Sequence, residues 1–206
     1  MLKISQCAVC HAWPAHPVCS DCCAAFVHAP HIPPIPNAAW DACYAAVSYT
    51  YPWIDLIGDF KFREYPAWSR FFADLIRQTK GVQNALDNAD YCVPIPLSRE
   101  RLQERGYNQA LLLARALNRK KAKSQLLLRV LNTAIQHDLS RNERLKNLEN
   151  AFMVHPDYLR ELKDKSVVLV DDVMTTGSTL HAAANTLRRA GVAHITVVVF
   201  AYTHFN

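Results

Sequence analysis

The strongest constraint on the fold is a strand, helix and strand pattern in the C-terminal third. Residues 167–170 are β-branched or aliphatic, and a polar turn that contains glycine follows them. Residues 178–190 then place their apolar side chains on one helical face, Gly191 stands where a glycine ends a helix, and residues 195–202 are again strongly apolar. Such a βαβ unit implies a parallel sheet, whose ligands bind at the carboxyl ends of the strands.

Weaker patterns upstream predict further elements of the same α/β class. Residues 42–49, 91–97 and 125–131 favour strands, and the prolines of the second predict a chain turn near Pro96. Apolar residues spaced by three and four predict helices over residues 54–62, 68–80 and 109–121. We therefore expect a parallel sheet that is flanked by helices.

The turn inside the βαβ unit has the composition of a phosphate-binding loop. Its small residues are Thr175, Thr176, Gly177, Ser178 and Thr179. They allow backbone N–H groups to converge on a phosphate at the start of a helix. Asp171 and Asp172 would repel that phosphate, so they make sense beside neutral hydroxyls such as those of ribose. The alternative is a capped turn without a ligand, but two adjacent aspartates at a strand end are hard to explain that way.

The N-terminal segment carries two Cys-x-x-Cys pairs that are separated by eight residues: Cys7 with Cys10, and Cys19 with Cys22. This spacing predicts a structural Zn²⁺ site of four thiolates. Three alternatives remain: Cys23 replaces Cys22, His11 or His16 displaces a cysteine, or the thiols form redox disulfides. Four prolines between residues 30 and 36 predict an extended linker. We therefore predict a zinc-finger module and linker over residues 1–36, and one larger domain over residues 37–206.

Charge and hydropathy narrow the class of protein. The net charge is +5, yet residues 1–60 carry −3, whereas residues 97–146 hold twelve Arg or Lys and four Asp or Glu, a net +8. This asymmetry predicts an anionic ligand, with a solvated basic face as the alternative. No apolar stretch approaches the length of a membrane span, and the first residues lack a signal-peptide pattern, so a cytoplasmic protein is expected.

Residues 167–179 resemble the signature of type I phosphoribosyltransferases: four apolar residues, two acidic residues, two more, and then Thr-Thr-Gly-Ser-Thr. The resemblance implies that Asp171 and Asp172 bind the ribose hydroxyls and act as the catalytic carboxylates. It also implies that Thr175, Thr176, Gly177, Ser178 and Thr179 bind the 5-phosphate of phosphoribosyl pyrophosphate, which is bound with Mg²⁺.

The order of motifs resembles the ComF/GntX family of competence proteins. The matching features are Pro94-Ile95-Pro96-Leu97 with Arg99 and Arg101, the run from Glu104 to Gln109, and the pattern Thr133, Gln136, Leu139, Arg144, Asn147 and Phe152. Members are associated with DNA uptake for transformation. The resemblance also implies that the loop after the first core strand binds pyrophosphate, for which the candidates are Leu97, Ser98, Arg99, Arg101 and Arg105. Arg141 and Arg144 are candidates for closing over the site, although each arginine could instead be a surface charge.

Two functions follow from these features. The first is a Mg²⁺-dependent phosphoribosyltransferase, in which an acceptor nitrogen displaces pyrophosphate from the ribose C1; the motifs define no acceptor, so turnover stays open. The second is a non-catalytic adaptor of the DNA-uptake machinery that retains the ribose-phosphate site. In this second function Lys120, Lys121 and Lys123 would contact single-stranded DNA, and Trp13, Trp68 or Tyr107 would stack on its bases.

Overall fold

The strands confirm the predicted α/β class. The structure is a computed structural model that describes residues 6–15, 17–63, 65–130 and 151–203. Its strands are β1 (Ala42–Ser48), β2 (Tyr91–Pro94), β3 (Leu127–Arg129), β4 (Phe152–Val154), β5 (Ser166–Met174) and β6 (His194–Tyr202). Four of them form a parallel sheet in the order β1-β6-β5-β2, and β3 pairs with β4 in antiparallel fashion.

The helices are α1 (Ser20–Phe26), α2 (Trp53–Phe62), α3 (Trp68–Gln78), α4 (Val82–Asn88), α5 (Arg99–Arg105), α6 (Gln109–Asn118) and α7 (Ser178–Arg189), with a 3-10 turn at Pro156–Tyr158. The amphipathic pattern predicted α2, α3, α6 and α7 to within a few residues. It missed α1, α4 and α5, each of only seven residues, because two turns of helix are too short for a clear period.

The two faces of the sheet carry separate apolar cores. On one face α2, α3 and α6 pack over Val168, Val170 and Phe200, and the ring of Phe72 stacks on that of Phe200 at 4.0 Å. On the other face α7 packs over Leu169 and Val197. Strands that are buried on both faces are expected to be apolar, and residues 197–202 of β6 form such an apolar run.

The N-terminal segment packs on the first of these cores. Cys7, Val18 and Cys22 are buried in the same cluster as Trp53, whose indole N–H donates to the carbonyl of Phe26 at 2.9 Å. The segment predicted as an extended linker also has packing contacts, because Ile32 and Ile35 lie against the second core. The boundary at residue 36 remains a prediction.

β5 is longer than the four-residue strand that the sequence predicted. It continues to Met174, because β6 extends alongside it and pairs Val173 with Ala201 and Met174 with Tyr202. Asp171 and Asp172 therefore lie within the strand, rather than after its end as predicted. β2 ends at Pro94, before the predicted end at Leu97, and residues 95–98 lead to α5 without regular structure. In the described part of the chain, no helix combines the length and the apolarity that crossing a bilayer requires.

Candidate phosphoribosyl site and cysteine cluster

A polar cleft opens at the carboxyl end of β5, where the chain enters α7. Its space, together with the open solvent at its entrance, is about 240 Å³, and its lining is Asp171, Val173, Met174, Thr175, Thr176, Gly177, Ser178, Thr179 and Leu180. The structure thus gathers one of the two predicted carboxylates and all five predicted phosphate-loop residues around one space. This is the edge of a parallel sheet where ligands of α/β proteins bind.

The loop is shaped by Gly177, which precedes the first residue of α7. Its φ of 73° is left-handed, and a Cβ built on it would lie 3.4 Å from the Trp40 ring. The hydroxyls of Thr176 and Ser178 lie 2.9 Å apart, and the Ser178 N–H donates to the Thr176 hydroxyl at 3.3 Å. Two hydroxyls and the positive end of a twelve-residue helix therefore meet at the mouth of the cleft.

The two aspartates differ in their surroundings. Asp172 is buried, with 7% of its surface exposed, and Asp171 is half-buried and accepts the Asp172 backbone N–H at 2.9 Å. Burial and the charge of Asp172 raise the pKa of Asp171 to about 7, although its hydrogen bond opposes the rise. Two carboxylates so close together cannot both ionise freely without nearby cations.

Two cations near this pair were missed by the sequence reasoning. The ammonium of Lys61, in the last turn of α2, lies 3.3 Å from Asp172 Oδ2. Burial and the charge of Arg101 lower the pKa of Arg129 on β3, and the charge of Asp171 acts in the opposite direction, so Arg129 lies within electrostatic range of both groups. Lys61 had one signal in the sequence: it is the only Lys or Arg between Lys3 and Arg63.

The candidate pyrophosphate residues follow β2, the strand beside β5. Leu97 and Ser98 are half-buried in the loop, and the Ser98 hydroxyl accepts the N–H of Arg101 at 3.4 Å to cap α5. Arg99 and Arg101 are exposed on that short helix. The run that was predicted as a loop therefore becomes helical at Arg99, and its pyrophosphate role stays a prediction.

Arg105 is less exposed than Arg99 and Arg101, the other two arginines of α5. Its guanidinium lies 5.3 Å from the centre of the Phe62 ring, and its Nη1 donates to Gln109 Oε1 at 3.3 Å. Its charge still acts on Asp171, whose pKa it lowers. Arg141 and Arg144 lie outside the described residues, as do all members of the Thr133 to Asn147 pattern.

Four thiols meet at the N-terminus, as the sequence predicted. The sulfurs of Cys7, Cys10, Cys19 and Cys22 all lie within 4.8 Å of one another, close enough for one metal ion. Among the alternatives, Cys23 and His11 do not belong to this group of described residues, and His16 lies outside the described residues. No disulfide joins the cysteines in the described residues.

Backbone N–H groups donate to two of these sulfurs and favour the thiolate form of Cys7. Val9 and Cys19 donate to the Cys7 sulfur at 3.4 and 3.3 Å, and Cys22 donates to the Cys19 sulfur at 3.5 Å. Burial opposes ionisation of Cys7, but the N–H groups outweigh it and lower its pKa to about 6. Such a donor set of thiolates with N–H partners fits Zn²⁺, which this cluster would hold.

The predicted DNA contacts divide into buried and exposed groups. Trp68 is buried against Phe72, so its ring is not available for stacking, whereas Tyr107 is half-buried and its hydroxyl donates to the carbonyl of Phe60. Trp13 is 67% exposed. Lys121 has a structural role, because its ammonium donates to the carbonyls at the end of α4, at 3.0 and 2.7 Å.

Comparisons with known proteins agree with this geometry. Residues 111–204 match the phosphoribosyl transferase domain family. Competence protein F of Haemophilus influenzae is 36% identical over 166 residues, which cover 77% of this chain and 72% of that protein. DNA utilization protein YhgH of Salmonella typhimurium is 33% identical over 95% of this chain and 83% of its own length.

A third relative is matched over a shorter stretch. Competence protein ComFC of Bacillus subtilis is 43% identical over 101 residues, which cover 49% of this chain and 39% of that protein. The parallel sheet, the loop after β5, the four-cysteine cluster and these relatives lead to one conclusion. The chain belongs to the ComF family, with a phosphoribosyltransferase-like domain.

Proposed function

We propose that the chain binds phosphoribosyl pyrophosphate in the cleft after β5, and that this binding serves the uptake or use of DNA. The observation that carries the proposal is the carboxylate pair beside a phosphate-type loop. Asp171 and Asp172 lie near cations at the carboxyl end of a buried strand, and a polar loop and a helix N-terminus follow within a few residues.

The 5-phosphate is assigned to the loop. Gly177 allows the left-handed backbone turn of the loop, and Thr176 and Ser178 have hydroxyls that can donate to a phosphate oxygen. Thr175 and Thr179 complete the loop at the mouth of the cleft. The dipole of α7 adds attraction for a dianion, so this end of the cleft favours phosphate whatever the rest of the ligand is.

The ribose hydroxyls are assigned to Asp171 and Asp172. Ionised carboxylates only accept hydrogen bonds, and the 2- and 3-hydroxyls of ribose donate them. Such bonds are stronger than those between neutral groups. These carboxylates are therefore also the catalytic candidates for any transfer at the ribose C1, because in this assignment they would lie beside the reacting ring.

The pyrophosphate is assigned to the region after β2. Arg99 and Arg101 lie exposed on α5, and burial together with the charge of Arg101 lowers the pKa of Arg129 on β3. Guanidinium groups within electrostatic range of one another favour a nearby anion, and their planar forks match phosphate oxygens. Leu97 and Ser98 contribute the loop backbone, and Arg105 contributes a positive charge that acts on Asp171. Mg²⁺ bound with the ligand would neutralise part of the pyrophosphate charge.

The role in DNA handling rests on the relatives and on charge. Two relatives are named as competence proteins and one as a DNA utilization protein. The segment 97–146, with its net charge of +8, could bind single-stranded DNA directly, and this is the second candidate function. We further propose that residues 1–36 form a zinc module that presents Trp13, while residues 37–206 hold the ligand.

The assignment of the two ends of the ligand can be tested by titration calorimetry with ribose 5-phosphate and with phosphoribosyl pyrophosphate plus Mg²⁺. A Thr176→Ala, Ser178→Ala protein should bind both ligands more weakly, since both carry the 5-phosphate. An Arg99→Ala, Arg101→Ala protein should lose affinity only for the pyrophosphorylated ligand. Equal losses in both proteins for both ligands would reject the assignment.

A further inference from the structure

Lys61 forms an ion pair with the carboxylate pair from a separate element. Its ammonium lies 3.3 Å from Asp172 Oδ2, and only 17% of the Lys61 side chain and 11% of the Asp172 side chain are exposed. An ion pair shielded from water in this way interacts more strongly than a surface pair. Arg63, two residues further on, instead pairs with Asp59 at 3.1 Å and is 75% exposed.

The position of Lys61 is fixed by the segment that joins α5 to α6. The Tyr107 hydroxyl and the Gln109 side-chain amide both donate to the carbonyl of Phe60, the residue before Lys61. The guanidinium of Arg105 lies over the ring of Phe62, the residue after it. Both neighbours of Lys61 in the chain are therefore held in place, and these contacts give residues 105–109 a structural role.

The charges around the carboxylates show why a cation is needed there. Burial and the charge of Asp172 disfavour ionisation of Asp171, whereas the charges of Lys61 and Arg105 favour it. Arg129 on β3 also interacts with Asp171. The facing groups are thus Lys61 from α2, Arg105 from α5 and Arg129 from β3, and of these Lys61 is the one within ion-pair distance of Asp172.

We propose that Lys61 is a positioning residue of the ligand site, which holds Asp172 and favours the ionised form of the carboxylate pair, so that both can accept the ribose hydroxyls. This inference rests on the proposed binding of phosphoribosyl pyrophosphate. Lys61 acts through Asp172 and touches no phosphate, so its effect should be the same for every ligand that carries the same ribose.

The test compares Lys61→Met, Lys61→Arg and the control Arg63→Met in titrations with ribose 5-phosphate and with phosphoribosyl pyrophosphate plus Mg²⁺. Lys61→Met should weaken both ligands by about fivefold near pH 7, because a rise of one unit from a pKa of about 7 lowers the ionised fraction of Asp171 from about a half to about a tenth. The loss should shrink near pH 9, where Asp171 ionises without help. Lys61→Arg should restore most of the affinity, and Arg63→Met should change neither ligand.

The pH dependence separates positioning from general damage to the fold, because a misfolded site does not recover at higher pH. Ionisation of the ligand phosphate is common to all variants and cancels in the affinity ratio. Zinc content and circular dichroism serve as folding controls. If the unaltered protein binds and Lys61→Met binds equally well, or loses only the pyrophosphorylated ligand, this inference is wrong while the proposed function stands. If the unaltered protein binds neither ligand, the proposed function itself fails.

Discussion

The cleft after β5 and the cysteine cluster place their functional groups by different means. In the cleft, the groups lie on and between β5 and α7, elements of nine and twelve residues with extensive cores beneath them. In the cluster, the first three thiols lie outside helices and strands, and α1 has only seven residues. Among the described residues of this segment, the buried apolar residues besides the cysteines are Ala15 and Val18. The sheet can hold its site in place without a ligand, whereas the cluster depends on what binds the thiolates.

This difference predicts which region should lose stability when its ligand is removed. Removing a metal from a small module removes folding free energy, because such a module has little else to bury. Removing a ligand from a sheet edge leaves the strands intact. The following predictions test that contrast, and they run from the largest expected effect to the smallest.

Loss of zinc should have the largest effect. The protein should carry about one zinc per chain, and Cys7→Ser or Cys19→Ser should abolish zinc binding because each removes one of the four ligands. The stability loss should be large, since structural zinc contributes on the order of 10 kcal/mol to folding. Cys23→Ser is the matched control, because Cys23 adjoins Cys22 yet lies outside the cluster. Metal analysis of reduced protein and thermal unfolding measure both effects. Zinc retained in Cys7→Ser, or absent from the unaltered protein, would contradict the assignment.

The next effect should come from Gly177→Ala. A left-handed φ costs a residue with a Cβ about 1–2 kcal/mol, and the new Cβ would meet the Trp40 ring and disturb the phosphate loop. Ribose 5-phosphate should therefore bind about tenfold or more weakly. Gly191→Ala is the control at the other end of α7: it also has a positive φ and a contact at 3.4 Å, and it should reduce stability while sparing affinity. Equal binding losses in both variants would undermine the loop assignment.

A smaller effect, of opposite sign, is expected for stability in Asp171→Asn. The Asp171 carboxyl ionises near 3.8 in the unfolded chain and near 7 in the fold, so the folded protein holds more protons between these values. Its free energy of unfolding should therefore fall as the pH rises through this window. Asparagine lacks this effect, so Asp171→Asn should be more stable than the unaltered protein above about pH 7, on the order of 2 kcal/mol, and equal near pH 4.

Denaturant titrations at several pH values measure that gain. The exposed Asp55→Asn serves as control and should show no comparable rise. A destabilised Asp171→Asn protein at high pH would mean that the ionised carboxylate is well stabilised by its cations without any ligand.

The smallest effect concerns single-stranded DNA. Lys120→Ala with Lys123→Ala should reduce the salt slope of binding by about 0.7 for each DNA phosphate that the variant no longer neutralises. Lys121 is left intact because it caps α4, and the exposed Lys80→Ala, outside the basic segment, is the control. Fluorescence anisotropy at several salt concentrations gives the slopes. Binding that does not depend on salt would reject direct DNA contact by this segment.

The contrast between the two regions also explains what the sequence could predict. The βαβ unit and the phosphate loop are local in the chain, so their pattern could be recognised directly. The cysteine cluster was recognisable because the spacing of the pairs itself encodes the geometry. Lys61 and Arg129 were missed because their positions near Asp172 and Asp171 depend on packing between elements that are distant in sequence. The spacing of residues along the chain gives no information about such packing.

The end of β5 was missed for a similar reason. Two acidic residues and a threonine pair suggested that the strand ends at Val170, but pairing with β6 extends it to Met174. Tertiary pairing outweighed local preference there, and it drew both carboxylates into the strand. The short helix α5 was missed because its seven residues are too few for a clear helical period.

The most direct test of the central claim is calorimetric titration of phosphoribosyl pyrophosphate with Mg²⁺ into the unaltered protein and into an Asp171→Asn, Asp172→Asn protein. The double variant must first show native circular dichroism and zinc content. A hydrogen bond to a charged group contributes roughly 1.5–3 kcal/mol, so loss of both carboxylates should weaken binding at least about a hundredfold. A folded double variant that binds with unchanged affinity would contradict the claim that these carboxylates hold the ribose.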